Sequence, residues 1–165
     1  MNVIIEINLH TQHLSLFESS PKGQVLLREY SVSTALNGPG ETKDSYCTPR
    51  GRHRIEQKIG EDAPPFAVFK ARVQTGEIWT PELDATAPGC DWILSRIMWL
   101  GGMEPGKNRG GDVDSHERYI YIHGTNEEHQ IGTAVSHGCI RMKNADVIDL
   151  FDRVEVGTLV NINER

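Results

Sequence analysis

The sequence has no two cysteines close enough to form a metal knuckle or a redox pair. Cys47, Cys90 and Cys139 stand 43 and 49 residues apart. An odd, widely spaced set is not a disulfide framework, and it contains no C-x-x-C pair. Single reduced thiols follow, each free for chemistry. Positive charge is not in excess either: 17 Lys and Arg against 23 Asp and Glu leave a net charge of -6 over 165 residues. No overall field therefore favours nucleic acid or an anionic membrane. The densest basic group, Arg50-Gly51-Arg52-His53-Arg54, reads as a solvated turn. Long apolar runs are missing as well. None approaches the ~18 residues of a membrane span, and Glu6 and Asn8 break the first run too early for a signal-peptide core. These absences predict a cytoplasmic protein, or a periplasmic one if a leader has been removed. With no repeat, low-complexity tract or linker, residues 1–165 read as a single domain large enough for a real core.

What is present is mostly strand. Val3, Ile5, Ile7 and Leu9 alternate onto one face, and Leu14 and Leu16 repeat the pattern after the polar break His10-Thr11-Gln12. A third run, Val25 to Ser33, ends at the turn formers Asn37-Gly38-Pro39-Gly40. Thr48-Pro49-Arg50-Gly51 makes another turn, after which Arg52 to Gln57 and Phe66 to Val73 read as strands. Glu77 to Gly89 holds Pro81 and Pro88, which excludes a long helix. Trp92 to Leu100 is continuously apolar apart from Ser95 and Arg96, so periodicity allows either a strand or a buried helix. Gly101 to Asp114 carries no apolar period and reads as a long loop, a feature more often functional than decorative. Tyr119 to Ile122 contains only β-formers and delivers His123 and Gly124 at its end. Near the C-terminus, Asn144 is placed to cap a helix with Val147, Leu150, Phe151 and Val154 on one face, followed by a final strand from Thr158 to Ile162.

The chemistry concentrates in two short runs, His123-Gly124-Thr125 and Ser136-His137-Gly138-Cys139-Ile140-Arg141. Thiolate is the reactive form of cysteine, and a nearby imidazole can generate it and then protonate a leaving amine. His123 and His137 are both near in sequence. The strand end is the more rigid mount, which favours His123 as base and Cys139 as nucleophile. Gly138 lets the backbone approach a substrate closely, so the N–H groups of Gly138 and Cys139 can point at an oxyanion. Arg141 offers a fixed cation for a substrate carboxylate. A zinc site from His123, His137 and Cys139 is a competing reading that lacks a fourth ligand. Cys47, Cys90 and the histidines at 10, 13, 53, 116 and 129 read as packing or surface residues.

The pattern His123-Gly124-Thr125 followed by Ser136-His137-Gly138-Cys139-Ile140-Arg141 resembles the catalytic signature of the L,D-transpeptidases: His-Gly, then Ser/Thr-His-Gly-Cys, a hydrophobic residue, and Arg or Asn. Thr48-Pro49-x-Gly51 is similar to the family's Thr-Pro-x-Gly turn, and Val3 to Phe17 to its first hairpin, so the likeness covers essentially the whole chain. It implies a mostly β protein, an L,D-transpeptidase-like β-sandwich with one or two short helices. It also implies that Cys139 attacks the diamino acid–D-alanine bond of a peptidoglycan tetrapeptide stem, releasing D-alanine and leaving a thioester. His123 would be general base and then acid, oriented by the Gly124 carbonyl. His137, Gly138 and Cys139 would supply oxyanion N–H groups, Arg141 would contact substrate, and Ser136 would help hold the site. Carbapenems acylate the family's cysteine.

The chain departs from the resemblance in showing no wall-binding or anchoring segment and in carrying the insertion-like stretch Trp92 to Asp114. That stretch is expected to line the crevice, with Arg96 either meeting a stem carboxylate or forming a structural ion pair. In the cytoplasm the thioester would meet water more often than a second stem, which predicts an L,D-carboxypeptidase of muropeptide recycling. Cross-linking transpeptidation is the alternative, and a catalytically dead wall-peptide binding module is the alternative of another class. Peptidoglycan-derived peptides are the expected partners, with no nucleic acid and no membrane. No metal or organic cofactor is implied, because sulfur, imidazole and backbone dipoles suffice for acyl exchange.

Overall fold

The alternating runs fold as hairpins. The computed structural model describes residues 2–165, and in it Val3–Asn8 (β1) pairs antiparallel with His13–Ser20 (β2), which pairs with Gly23–Ser31 (β3). Ile5, Ile7, Leu14 and Leu16 are fully buried, as the alternation requires. The last strand, Leu159–Asn163 (β10), lies parallel to β1 and antiparallel to Gly51–Ile59 (β4), and so ties the two ends of the chain together.

Trp92 to Leu100 resolves as strand, Ile93–Gly102 (β7), paired with β4, with Ala67–Lys70 (β5) and with Tyr121–Gly124 (β8). Two glycines assigned to the following loop, Gly101 and Gly102, are its last rungs. The single strand expected over Phe66 to Val73 is instead two, β5 and Val73–Ile78 (β6), joined by a turn at Ala71 and Arg72 with φ of 47° and 65°. Such turns normally announce themselves with Asn or Gly. Here the guanidinium of Arg72 lies over the rings of Trp99 and Tyr119 and donates to the Tyr121 hydroxyl at 3.1 Å, so tertiary contacts hold the turn. A five-residue helix, Pro81–Ala85 (α1), follows with Thr80 as N-cap.

The strands run β3-β2-β1-β10-β4-β7-β5-β6, and β8 branches from β7 to pair in parallel with Ile140–Met142 (β9). Reciprocal bonds between Ser33 and Arg141 (2.8 and 2.9 Å) join the chain just beyond β3 to β9, closing the strands around one core. The second helix, Asn144–Arg153 (α2), seals that core with Val147, Leu150 and Phe151, and Val154 packs at its end. Asn144 is not its N-cap. The helix starts one residue earlier than expected, with Lys143 as the cap, and the Glu128 carboxylate accepts the Asn144 N–H at 2.7 Å. A carboxylate there also complements the helix dipole.

The long loop after β7 is fastened to β4. Asn108 donates to the Arg50 and Arg52 carbonyls, and Glu104 accepts from the Arg52 N–H. Beneath it, His53 is fully buried between the Gly51 carbonyl (3.0 Å) and the Ser115 hydroxyl (2.8 Å). Burial pushes its imidazole down to about 4 from an ordinary 6.5. Neutral His53 is thus favoured by folding, and stability present above pH 6.5 is lost as the pH falls toward 4. The loss is about 3 kcal/mol at 1.36 kcal/mol per pH unit. Urea unfolding of wild type and His53→Asn at pH 7, 5.5 and 4.5 checks this: the variant is expected to show a shallower acid decline.

Candidate active site

Parallel pairing of β8 with β9 sets the geometry of the site. The register puts Ile122 beside Ile140 and His123 beside Arg141. Tyr121 and His123 therefore share one face, opposite the face on which Ile122 and Ile140 enter the core. Cys139 immediately precedes β9 and packs with Tyr121 and Ile97 in a smaller apolar cluster. Imidazole and thiol thus lie on the same side of one two-strand ladder, as diagonal neighbours.

His123 is 1% exposed, and its Nδ1 lies 2.7 Å from the Gly124 carbonyl oxygen. A carbonyl can only accept, so Nδ1 carries the proton and Nε2 keeps the lone pair. Burial holds the imidazole below its ordinary value, so it rests neutral, the form a general base needs. Gly124 must lack a side chain: a Cβ there would lie 2.4 Å from the Asn144 Oδ1 and 2.6 Å from the Leu94 carbonyl.

The thiol is not hydrogen-bonded to His123. It donates to the Tyr119 carbonyl at 3.3 Å and accepts from the Tyr121 N–H at 3.3 Å. Burial pushes Cys139 up to about 12, against the pull of the Tyr121 N–H and of Arg141 and Arg118. At neutral pH the resting pair is therefore thiol and imidazole rather than thiolate and imidazolium. Iodoacetamide alkylation, followed by mass spectrometry of the Cys139 peptide, is expected to accelerate steadily up to pH 10. An early plateau near neutrality would mark an ion pair instead.

The turn that presents the sulfur is held from both sides. Gly138 sits at φ 130°, and a Cβ there would meet the Cys47 carbonyl oxygen at 3.1 Å. The Ser136 hydroxyl donates to the Cys139 carbonyl (2.6 Å) and accepts the Gly138 N–H (3.1 Å). The Gly138 N–H expected to face an oxyanion is thus engaged by Ser136. From the other side, the Thr48 hydroxyl donates to the Gly138 carbonyl at 2.8 Å, while Arg118 donates to the Cys47 carbonyl at 2.8 Å. The Thr-Pro-x-Gly turn hinted at Thr48; nothing in the sequence marked Arg118 or the Tyr119 carbonyl.

The remaining sequence-derived residues divide. His137 points outward, its ring edge-on to Tyr46 and its Nδ1 3.8 Å from Asp91. Arg141 faces the site but is 4% exposed and already paired, with Asp91 at 3.0 Å and Glu127 at 3.4 Å. Arg96 does not reach the site. A register shift in β7 between Leu94 and Ile97 turns it to the α2 side, where it lies over Phe151 and donates to the Ala63 and Ser95 carbonyls. Of the two expected partners, a stem carboxylate or a structural ion pair, neither is what the guanidinium contacts here: it is buried against backbone carbonyls and an aromatic ring.

This arrangement has close relatives. A family model described as the L,D-transpeptidase catalytic domain (YkuD) matches residues 2–162. A probable L,D-transpeptidase ErfK/SrfK of Salmonella typhimurium is 54% identical over 132 residues, covering 73% of this chain and 41% of that protein. A probable L,D-transpeptidase YbiS of Escherichia coli is 35% identical over 106 residues, covering 62% of this chain and 34% of that protein. The chain thus spans well under half the length of these curated relatives. Among solved structures, Bdellovibrio bacteriovorus Bd1075 superposes with a TM-score of 0.62 at 15% identity, over 99% of this chain and 48% of that one. An L,D-transpeptidase from Mycobacterium smegmatis gives 0.53 at 18% identity, over 98% of this chain and 58% of that one. Both carry the same mostly β fold. By sequence match over nearly its whole length, the chain belongs to the L,D-transpeptidase catalytic-domain family.

Proposed function

We propose that the protein is a cysteine acyl-transfer enzyme that cleaves the bond between the diamino acid and D-alanine of peptidoglycan tetrapeptide stems. The observation that carries this reading is the shared face of His123 and Cys139, with the imidazole tautomer fixed by the Gly124 carbonyl. Rotation of the thiol away from Tyr119 would bring its proton to Nε2. Sulfur then attacks the carbonyl, His123 returns the proton to the departing D-alanine amine, and a thioester remains. The amides of His137 and Cys139 are the donors left to receive the oxyanion, since Ser136 engages that of Gly138.

The thioester has two exits. Water gives a tripeptide, the L,D-carboxypeptidase outcome that belongs with a cytoplasmic, muropeptide-recycling role. The amine of a second stem gives a cross-link, and the names of the relatives favour it. Incubation with a defined disaccharide-tetrapeptide, analysed by mass spectrometry, separates the two. Hydrolysis yields tripeptide and free D-alanine without dimers. If dimers appear and no tripeptide does, the carboxypeptidase assignment is wrong. If no D-alanine is released at all, so is the acyl-transfer reading.

A further inference from the structure

An open pocket of about 340 Å³ has a wall that includes Arg141, Asp84, Asp91, Asn126, Glu127 and His137. Its charge balance differs from what the motif alone suggests. Arg141 is the one fixed cation on that wall, and three carboxylates face it. Two of those, Asp91 and Glu127, are already on the guanidinium at 3.0 and 3.4 Å, and both are about one-third exposed. The third, Asp84, is anchored by the indole N–H groups of Trp92 (2.7 Å) and Trp79 (3.3 Å) and by the Asn126 amide (3.3 Å). Two further atoms are buried without a hydrogen-bond partner among the described residues, the Arg141 Nε and the Asn126 Oδ1. Both atoms belong to residues of this wall, so its polar network keeps one acceptor and one donor unpaired.

A ligand carrying only a carboxylate suits this pocket poorly. It would meet an arginine whose charge is already balanced, with two more negative groups than positive ones around it. An ammonium suits it well, and a paired ammonium and carboxylate suit it best. The ammonium takes Asp91 and Glu127, whose exposure lets them swing, and the carboxylate takes the guanidinium they release. Arg141 and His137 stand two residues on either side of the nucleophile, and the ladder register sets Arg141 beside His123, so this wall is continuous with the candidate site.

We propose that Asp91, Glu127 and Arg141 form a specificity site for the charged side-chain end of the stem's diamino acid, with the ammonium as the group required. Asp91 is its principal determinant, because it alone touches both Arg141 and His137. This rests on the acyl-transfer reading above and adds which stems the enzyme accepts.

D-alanine release would be measured on three tetrapeptides that differ only at that side-chain end: diaminopimelate, lysine and Nε-acetyl-lysine. Wild type is expected to show its lowest KM on diaminopimelate, a KM about tenfold higher on lysine, and another ~tenfold on acetyl-lysine. Asp91→Asn is expected to raise KM on the lysine stem by about tenfold, with kcat within about twofold, and to change KM on the acetyl-lysine stem by less than about twofold. Glu127→Gln should move the same constants in the same direction by less. Equal wild-type KM values for lysine and acetyl-lysine stems would overturn the ammonium site while leaving acyl transfer intact. So would an Asp91→Asn effect of the same size on both. Failure of wild type to release D-alanine from any of the three would overturn the acyl-transfer reading and this site with it.

Discussion

Cys139→Ala is expected to lower D-alanine release from a tetrapeptide by about 10⁴-fold or more, the scale on which removal of a covalent nucleophile acts. The fold should survive. The sulfur is only half-buried and packs at the rim of the small cluster with Tyr121 and Ile97, so its loss costs about 1 kcal/mol or less. A thermal melt within a few degrees of wild type, together with lost turnover, is the expected pair of results. Cys139→Ser should fare little better than alanine, because an alkyl hydroxyl is far harder to ionise than a thiol, even one pushed up to about 12. His123→Gln tests the other half of the pair: turnover should fall on a similar scale, while alkylation of Cys139 at pH 10 continues. If Cys139→Ala retained a tenth of the activity, the thioester mechanism would be refuted.

Much of this site was legible because its parts are local. His123 and Cys139 are each fixed by residues next to them in sequence: the strand Tyr121-Ile122 that buries one, and the Ser136-His137-Gly138 turn that presents the other. The hairpins of β1 and β2 followed from alternation alone, since one buried face suffices to set their register. What escaped depends on contacts distant in sequence. The turn at Ala71-Arg72 has no turn signature and is held by Trp99, Tyr119 and Tyr121. The sequence leaves the role of Arg96 open because a continuous apolar run gives no hint of the register shift that turns it toward Phe151. The pairing of Arg141 with Asp91 is hidden because the two lie 50 residues apart in sequence, and no spacing rule links them.

Gly124→Ala is expected to damage both fold and chemistry. The added Cβ would meet two atoms that cannot yield. One is the Leu94 carbonyl at 2.6 Å, part of the β7 backbone; the other is the Asn144 Oδ1 at 2.4 Å. Asn144 is itself pinned, accepting from the Ser95 hydroxyl at 2.6 Å and donating to the Thr125 carbonyl at 2.8 Å and to Glu128 at 3.0 Å. Relief must therefore come from moving β8 away from β7, which costs about 3 kcal/mol. For a domain of this size that lowers Tm by roughly 6–12 °C. The same displacement moves the Gly124 carbonyl that fixes the His123 tautomer, so kcat should drop by about tenfold to a hundredfold even where the protein is still folded. Pairing the change with Asn144→Ala separates the two contacts. The double variant should be less destabilised than the sum of the single ones, because one clash is gone, yet it should stay below wild type, because the Leu94 carbonyl remains. Strict additivity would mean that Asn144 and Gly124 do not touch, and would remove the packing account of why the residue after His123 is glycine.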